Sequence, residues 1–584
     1  MDRHFLTFLS RNPILNLGSG IIVFSFLLII LAMSGVFSPA IVTPFLALFL
    51  ASSLFSLLSF WRSIPWKERL GLICMTVLTI GIVSFSHIEP TVFTGRDQGS
   101  IATAAIELAK NHRLDFTLPI ATDFFAIYGV GEALNFPGFF YTPNGSLITK
   151  FPLGYTVFLA SFFQSFGLIG FMIGNSILLG ISMLVLYALL RRIAPSMAWF
   201  GLAIFSSSLI PAFLTHLTLT ENFALFLFLF LSLQLTEFFQ TKSPAHYFGV
   251  LLPAIFFPFV RVEGFAILGI TILVLALTGE VRQFIRERLL ERCILPIILF
   301  TLLLIATFIA NNPFYRVMGK EILKSLPLDA ATETSVSFLA LPGILSLYGM
   351  LSVIIAGGIG ILFLLRSKRW ILLIPAFLAL PTFIYLLSPS ITPDHPWMLR
   401  RFLFSVWPSL LLSFLFIVGM LLEQKKLRKG VAYVLPVLLL VGQLPAFFSF
   451  ISPKTDLPLL SQTNSFASHF SSNDRILIDR EVTGDGFTMI SGPLASLHDI
   501  NAAYFFNPLD MKKLPTHTEQ TTYLLVPEEK ISFYEENMPE YILTPKQSMD
   551  FSLMRRETVP ASTAHFPQSI SHKKRDILLL VTTK

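Results

Sequence analysis

The sequence predicts an α-helical protein that crosses a membrane many times. Of its 584 residues, 54% are hydrophobic and only 13% are charged, whereas soluble domains carry charge on about a quarter of their residues. Apolar runs of roughly 20 residues, the length that crosses a hydrocarbon core as a helix, recur from Leu17 to Phe450 with short polar breaks between most of them. Runs of this length predict helical spans and not the shorter strands of a membrane barrel.

The basic residues indicate how the spans are oriented. The formal net charge of +7 would suit nucleic acid, or it could reflect the excess of Lys and Arg in cytoplasmic loops. The basic residues lie where cytoplasmic loops are expected, so the charge reflects membrane topology. Nucleic acid is therefore not an expected partner. The residues that lie in short loops beside apolar runs are Arg3, Arg11, Arg62, Lys67, Arg69, Arg191, Arg192, Lys242, 282–292, Arg366, Lys368, Arg369 and 425–429.

A path of about thirteen crossings with a cytoplasmic N-terminus and an uncleaved first helix satisfies this rule. The polar segment after the third span, which lies at about Leu70 to Phe85, must then be external while Arg191 is internal. Only an odd number of crossings fits between them. We therefore expect 151–166 to lie in the outer interface and about Ile169 to Leu190 to span.

The apolar run from Tyr247 to Leu277 is interrupted by Arg261 and Glu263. A charged residue at midspan costs about 2.5–3.5 kcal/mol on insertion scales, and the run is longer than one span requires. We expect two short spans that meet at the outer surface, with the charged residues between them.

The chain divides into four regions. Residues 1–86 are N-terminal transmembrane helices, 87–168 are a long first external loop with juxtamembrane helices, and 169–450 are the transmembrane bundle. In 451–584 charged residues return, and short strand-like runs occur at 476–478, 523–526, 541–544 and 577–581, with helical patterns between some of them. This last region is expected to be a small external α/β domain.

The polar insert, residues 87–150, contains the first candidate catalytic residue. Asp97 lies in the segment Gly95-Arg96-Asp97-Gln98-Gly99, just before a helical pattern. An aspartate in this position is often only a helix cap. A carboxylate at a membrane face, in an insert longer than a connection needs, is equally suited to act as a general base for a hydroxyl group.

Basic residues also gather on the side that the path makes external, which the positive-inside rule does not predict. Lys150, just before Phe151-Pro152, could be an interfacial anchor, but a group of external cations would suit a phosphate or pyrophosphate ester. The external basic residues are Arg96, Lys150, Arg261, Arg316, Arg400 and Arg401.

Two further polar positions are weaker candidates. Glu221 lies on an outer turn, where an acidic residue is commonly just solvated. Asp394 and His395 could contact a metal, but no second ligand follows at metal-binding spacing. No cofactor is expected to be required, although a divalent cation is left open.

On these residues the chain resembles the GT-C superfamily of membrane glycosyltransferases. The closest resemblance is to the bacterial branch that includes protein O-mannosyltransferases and the aminoarabinose transferases that act on lipid A. The resemblance covers about Val83 to Leu422. The matching stretches are Gly95 to Gly99 with the helix that follows, Thr149 to Tyr155 with Phe166-Gly167, Thr220 to Asn222, Arg261 to Gly264, and Arg400 to Phe402 running to Trp407-Pro408.

The resemblance implies roles for individual residues. Asp97 would be the catalytic base and Glu221 a second acidic residue of the site. The donor phosphate would be bound by Lys150, with Arg400, Arg401, Arg261 and Arg96 as further candidates. The chain departs from the family at Gln98, often acidic there, at Phe151, often proline, and at Glu221, commonly aspartate, and it has two extra spans before the catalytic loop.

The resemblance therefore implies transfer of a sugar from a polyprenyl-phosphate-linked donor to a hydroxyl group of an external glycan, lipid or protein, with inversion at the anomeric carbon. The expected location is a bacterial inner membrane, in contact with its lipids and with the C-terminal domain in the periplasm. Two alternatives remain: a flippase or transporter of a lipid-linked sugar, and an O-antigen-type polymerase. A transporter would place its charges near the bilayer midplane.

Overall fold

The computed structural model describes residues 12–86, 92–279, 341–387, 395–451, 457–515, 520–557, 565, 566 and 568–583. Arg316, Asp394 and the spans expected within 280–340 lie outside the described residues. Within the described part, the chain consists of a helical membrane region, an insert of mixed structure and a C-terminal sheet domain.

Three long helices come first: α1 Pro13–Met33, α2 Pro39–Ser63 and α3 Trp66–Ser86. Proline stands at the first position of both α1 and α2, where its fixed φ suits a helix and its missing N–H has no intrahelical partner to lose. Apolar side chains surround these helices, as expected for helices that contact lipid on one side and protein on the other.

The polar insert folds into helices and a small sheet. Its elements are α4 Asp97–Asn111, β1 Asp115–Phe116, α5 Pro119–Tyr128, β2 Gly131–Glu132, β3 Phe139–Tyr141 and β4 Leu147–Thr149. The strands form an antiparallel sheet in the order β1-β4-β3-β2. Helix α4 begins at Asp97, at the start of the helical pattern read from the sequence, and every residue from Gly99 to Ala109 is buried.

Helices α6 Leu153–Phe166 and α7 Ile169–Ile193 follow, separated by Gly167. Helix α6 has 14 residues, so it is about 21 Å long and shorter than the roughly 30 Å hydrocarbon core. Helix α7 has 25 residues and is long enough to cross. These lengths agree with the expectation that only the second helix spans.

The remaining helices of the membrane region follow α7 in the chain. They are α8 Ala198–Ser206, α9 Leu209–His216, α10 Thr220–Thr241, α11 Pro244–Phe256, α12 Gly264–Leu277, α13 Leu341–Leu347, α14 Met350–Arg366, α15 Ile374–Ala379, α16 Ile384–Leu387, α17 His395–Leu403, α18 Val406–Glu423 and α19 Lys429–Ile451. Helices α11 and α12 are separate, as predicted, and Arg261 and Glu263 lie between them.

The described residues contain seven helices that are long and apolar enough to cross a membrane, or nine if each of two sharply bent pairs counts as one span. The protein is therefore an integral membrane protein, as predicted. The expected number of about thirteen crossings is not established by these residues, because 280–340 lies outside them.

The C-terminal domain is built around a five-stranded sheet, which confirms the predicted α/β domain. Its elements are α20 Leu457–Ala467, β5 Arg475–Ile478, α21 Ser491–His498, β6 Asn501–Tyr504, β7 Thr522–Pro527, α22 Ile531–Asn537, β8 Ile542–Arg556 and β9 Ser569–Thr583. The strand order is β6-β5-β7-β9-β8. Strand β5 pairs in parallel with β6 and β7, and β9 pairs antiparallel with β7 and β8.

The insert and the C-terminal domain are packed against each other, although about 350 residues separate them in the chain. Arg475 pairs with Asp123 at 3.1 Å, and the side-chain amide of Asn135 donates to the Tyr504 carbonyl at 2.7 Å. The two regions also share one hydrophobic cluster, which includes Phe116, Ile120, Phe124, Leu477, Leu524 and Val526. They therefore form one unit beside the helical bundle.

Candidate active site

Asp97 is the first residue of α4, and Arg96 before it is the N-cap. The Asp97 side chain does not cap its own helix. Its Oδ2 accepts a hydrogen bond from Arg400 Nη2 at 2.5 Å. The carboxylate is 38% exposed, so a reactant can approach it. This geometry does not support the simple helix cap, and the role of Asp97 as a general base stays a prediction.

The turn before Asp97 is shaped by Gly95, whose φ is +112°. This backbone conformation is favourable only for glycine. A Cβ atom at Gly95 would lie 2.9 Å from the carbonyl oxygen of Phe487 in the C-terminal domain. The close approach of the two segments thus requires glycine at this position.

Arg400, on α17, connects Asp97 to a buried acid. Its Nε lies 3.5 Å from Oε1 of Glu221, the second residue of α10. The Glu221 side chain is only 1% exposed. Since an unpaired buried carboxylate is very unfavourable, Glu221 must be stabilised by the guanidinium groups that surround it.

The second of these groups is Arg261, whose Nη1 lies 2.7 Å from the same Glu221 oxygen. Arg261 also makes a two-point contact with Glu263, through Nε to Oε2 at 3.0 Å and Nη2 to Oε1 at 2.7 Å. The Tyr385 hydroxyl donates a hydrogen bond to Glu263. Burial opposes ionisation of Glu263, but Arg261 and the hydroxyl group outweigh it and lower its pKa to about 2. Glu263 is therefore a carboxylate at any physiological pH.

These contacts form a continuous chain of charges, Asp97–Arg400–Glu221–Arg261–Glu263, which we call the ion-pair chain. Its members come from the start of α4, the start of α10, the break between α11 and α12, and α17. Three of the four positions lie at helix ends, and Arg400 lies within the short helix α17. The ion-pair chain therefore lies where the long helix α10 begins.

Arg96 and Arg401 lie beside this chain on aromatic rings. The guanidinium carbon of Arg96 is 4.7 Å from the ring centre of Trp397 and 4.3 Å from that of Phe487. That of Arg401 is 5.4 Å from the ring centre of Tyr385. Contacts of this kind stabilise a cation by about 0.5–2 kcal/mol. Six of the seven residues predicted from the sequence are thus within one connected group.

Lys150 is the seventh, and it stands apart from that group. It directly follows β4, an inner strand of the insert sheet, and its Nζ lies 3.3 Å from Oε1 of Glu132 on β2. Both side chains are partly exposed, and such pairs contribute little to stability. The role of Lys150 in binding a donor phosphate stays a prediction.

A buried polar network fixes the turn that carries Glu221. The Tyr155 hydroxyl donates to Oδ1 of Asn175 at 2.6 Å, and the Asn222 amide donates to the same oxygen at 3.2 Å. The Thr218 hydroxyl donates to the carbonyl oxygen of Gln98, one residue after the candidate base, at 2.7 Å. The start of α10 is therefore held directly against the start of α4.

Four contributing residues received no role from the sequence: Glu263, Tyr385, Trp397 and Phe487. Glu263 was noted only as an interruption of an apolar run, although its spacing from Arg261 is a usable signal for a buried ion pair. Tyr385 and Phe487 carry no such signal, because each contacts the site from a distant part of the chain.

No cation-binding group emerges within the described ranges. Among their His, Cys, Asp and Glu residues, no three stand together so as to hold a metal ion. Asp394 and the side chain of His395, which the sequence suggested for a metal, lie outside the described part.

Taken together, the bundle, the juxtamembrane insert and the C-terminal sheet domain define an integral membrane protein whose architecture agrees with the predicted fold class. The fold is similar to that of ArnT from Cupriavidus metallidurans. Against the apo crystal structure the TM-score is 0.51 at 10% sequence identity, covering 88% of this chain and 98% of that chain. Against the structure bound to undecaprenyl phosphate it is 0.53 at 10% identity, covering 87% and 97%.

Comparison of the amino-acid sequence with known families and proteins identifies no relative. No protein-family model matches the chain, and no curated protein matches it. At 10% identity, the likeness to ArnT establishes the fold and not the substrates.

Proposed function

We propose that the protein is a GT-C glycosyltransferase that moves a sugar from a polyprenyl-phosphate-linked donor to an acceptor hydroxyl at the outer face of a bacterial inner membrane. The observation that carries the proposal is the ion-pair chain, which brings a partly exposed carboxylate and two arginines together where α10 begins. The similar fold of ArnT, which has been crystallised with undecaprenyl phosphate, supports the choice of donor.

In the proposed reaction the acceptor oxygen attacks the anomeric carbon of the donor and its proton passes to Asp97. The bond from that carbon to the phosphate oxygen breaks with its electron pair, and polyprenyl phosphate leaves. Attack from the side opposite the leaving group inverts the anomeric configuration. The leaving group is already a stable anion, so the reaction needs cations that stabilise developing charge more than it needs a general acid.

Arg400 is the residue best placed to supply that charge, since it contacts Asp97 directly. Arg96 precedes Asp97, and Arg401 is a further cation of the same group. Lys150 stands apart from this group and is proposed as a donor ligand on the resemblance alone. Arg261 is engaged by two carboxylates, and we assign it a positioning role.

Glu221 was expected to be catalytic, and its surroundings favour a different role. Because it is almost fully buried between two guanidinium groups, a substrate would have to displace an arginine to reach it. We propose that Glu221 holds Arg400 in position beside Asp97.

The two alternatives differ from this proposal in what happens to the sugar. A flippase or transporter would keep it on the prenyl carrier, and it would place charged residues near the bilayer midplane. The location of the ion-pair chain at the start of α10 favours an enzyme. A polymerase would make products longer than one added sugar.

The deciding experiment uses purified protein in lipid vesicles, labelled polyprenyl-phosphate sugars and a membrane extract as acceptor. Asp97→Asn should lower the transfer rate by about 10²- to 10⁴-fold and should leave the thermal stability unchanged. The matched control is Asp115→Asn. Asp115 lies in the same insert and forms an exposed ion pair with Arg113, so this variant should behave as wild type.

Near-normal transfer by Asp97→Asn would remove this residue from the role of base. Label that crosses the bilayer but stays on the prenyl carrier would establish the flippase. Label incorporated as several sugars in a row would identify a polymerase.

A further inference from the structure

The C-terminal domain contributes an aromatic side chain to the candidate active site. Its loop 483–489 contacts the turn before Asp97, where the Met489 amide donates to the Thr94 carbonyl at 2.9 Å. The Phe487 ring lies 4.3 Å from the guanidinium carbon of Arg96, which also stacks on Trp397. The residue next to the proposed base therefore contacts aromatic rings from two different regions.

The loop that carries Phe487 is held by its own hydrogen bonds. Asp485 accepts from the Phe487 amide at 3.0 Å and from the Thr488 hydroxyl at 3.1 Å. The Thr483 hydroxyl donates to the Thr488 carbonyl at 2.9 Å. Because these bonds fix the loop, Phe487 is presented in one position.

Phe487 is nevertheless 48% exposed. A phenylalanine that served only to pack two domains together would gain more by complete burial. The half-exposed ring stands on a fixed loop and stacks with Arg96, the residue next to Asp97, so its open surface is available to a ligand of the site.

The position of the ring indicates which substrate it would meet. Arg400 and Glu221 lie on the side of Asp97 that faces α10, a helix long and apolar enough to span. A donor whose prenyl chain remains in the bilayer would approach from that side. Phe487 belongs to the C-terminal domain and contacts the turn before Asp97 through Arg96 and the backbone of Gly95, so a group bound on its ring would approach the base from that domain.

We propose that Phe487 forms the contact surface for the acceptor, while Trp397, which stacks with both Arg96 and Arg400, holds these two cations together. This inference rests on the proposed transfer reaction. The face of an aromatic ring carries partial negative charge, and the C–H groups of a sugar ring carry partial positive charge because oxygen atoms surround them. An acceptor whose hydroxyl is on a sugar ring would pack its C–H face on Phe487 and direct the hydroxyl to Asp97.

A purely structural role makes a different prediction. If Phe487 only holds Arg96 and the Asp97 turn in place, its loss would slow every reaction of the site, including transfer of the sugar to water. If Phe487 binds the acceptor, its loss would raise the amount of acceptor needed for half-saturation and would leave saturation by the donor unchanged.

The test measures transfer to a membrane extract and transfer to water in the same vesicles, with labelled polyprenyl-phosphate sugar and with the extract titrated by mass. Phe487→Ala should raise the half-saturating amount of extract about five- to tenfold, the effect of one aromatic contact. Saturation by the donor and transfer to water should stay within about twofold. Phe487→Trp keeps the ring and should restore acceptor saturation.

The matched control is Phe506→Ala, a 55% exposed phenylalanine of the same domain, which should change neither reaction. Thermal unfolding of all three variants shows whether the protein is folded. Equal slowing of both reactions in Phe487→Ala, with unchanged saturation by the extract, would overturn the acceptor contact and leave the transferase intact. A wild-type protein that transfers label neither to extract nor to water would overturn the proposed function and this inference together.

Discussion

The two ends of the ion-pair chain differ in how completely their charges are enclosed. At one end, Arg261 is buried between Glu221 and Glu263, with a further hydrogen bond from Tyr385 to Glu263. At the other end, Asp97 is partly exposed, and its contact with the chain is through Arg400. Buried charges are tolerated only when they are paired and hydrogen-bonded, whereas a base must remain accessible to its substrate. The enclosed end is suited to hold the geometry and the open end to react.

Arg261→Met should have the largest effect on stability. It would leave Glu221 with one cation and Glu263 with none, and removing one partner of a buried ion pair typically costs about 3–5 kcal/mol. Unfolding of the protein in mixed micelles would measure the loss. Arg113→Met removes an exposed partner of Asp115 and should change stability by no more than about 1 kcal/mol. Equal stability of the two variants would contradict the assignment of Arg261 to the structural end.

Glu107, on α4, is also a buried acid, but unlike Glu221 and Glu263 it has no arginine as its ion-pair partner. Burial raises its pKa to about 7, because the opposing effects of Lys110 and Asn111 are smaller. A raised pKa means that the folded protein binds this proton more tightly. Its contribution to stability is therefore complete below about pH 4.5 and is lost as the pH rises through about 7.

Glu107→Gln removes this dependence, since glutamine does not ionise. At pH 8 the variant should be more stable than wild type by up to about 3 kcal/mol, and at pH 4.5 the two should be alike. Thermal unfolding across this pH range is the measurement. A variant that is less stable than wild type at pH 8 would show that the Glu107 charge is compensated in the fold.

Arg400 joins the two ends, and its replacement should have the smallest effect of the three. Arg400→Lys keeps a positive charge but loses the planar group that contacts both Asp97 and Glu221. We expect kcat to fall by about 10- to 100-fold with little change in stability. Arg401→Lys, on the same helix, provides the comparison and should retain more activity. The reverse order would make Arg401 the more important cation.

Much of this arrangement could be predicted from the sequence, because local patterns carry it. The apolar runs predict the helices, and the start of α4 at Asp97 follows from the glycine-rich turn before it. The break between α11 and α12 follows from the cost of placing Arg261 and Glu263 at midspan. The short strand β6 was not predicted, since Asn501–Tyr504 lacks the β-branched run that marks a strand.

The sequence by itself determined which residues were candidates for the site: a carboxylate at a helix start and basic residues outside the expected cytoplasmic loops. Only the tertiary structure decided which of them meet. It joins Asp97, Arg400 and Glu221, pairs Lys150 with Glu132, and brings Phe487 to the site. The physical reason is that helix formation and membrane insertion depend on neighbouring residues, whereas ion pairs and ring contacts form between distant segments that the packing of the whole chain brings together.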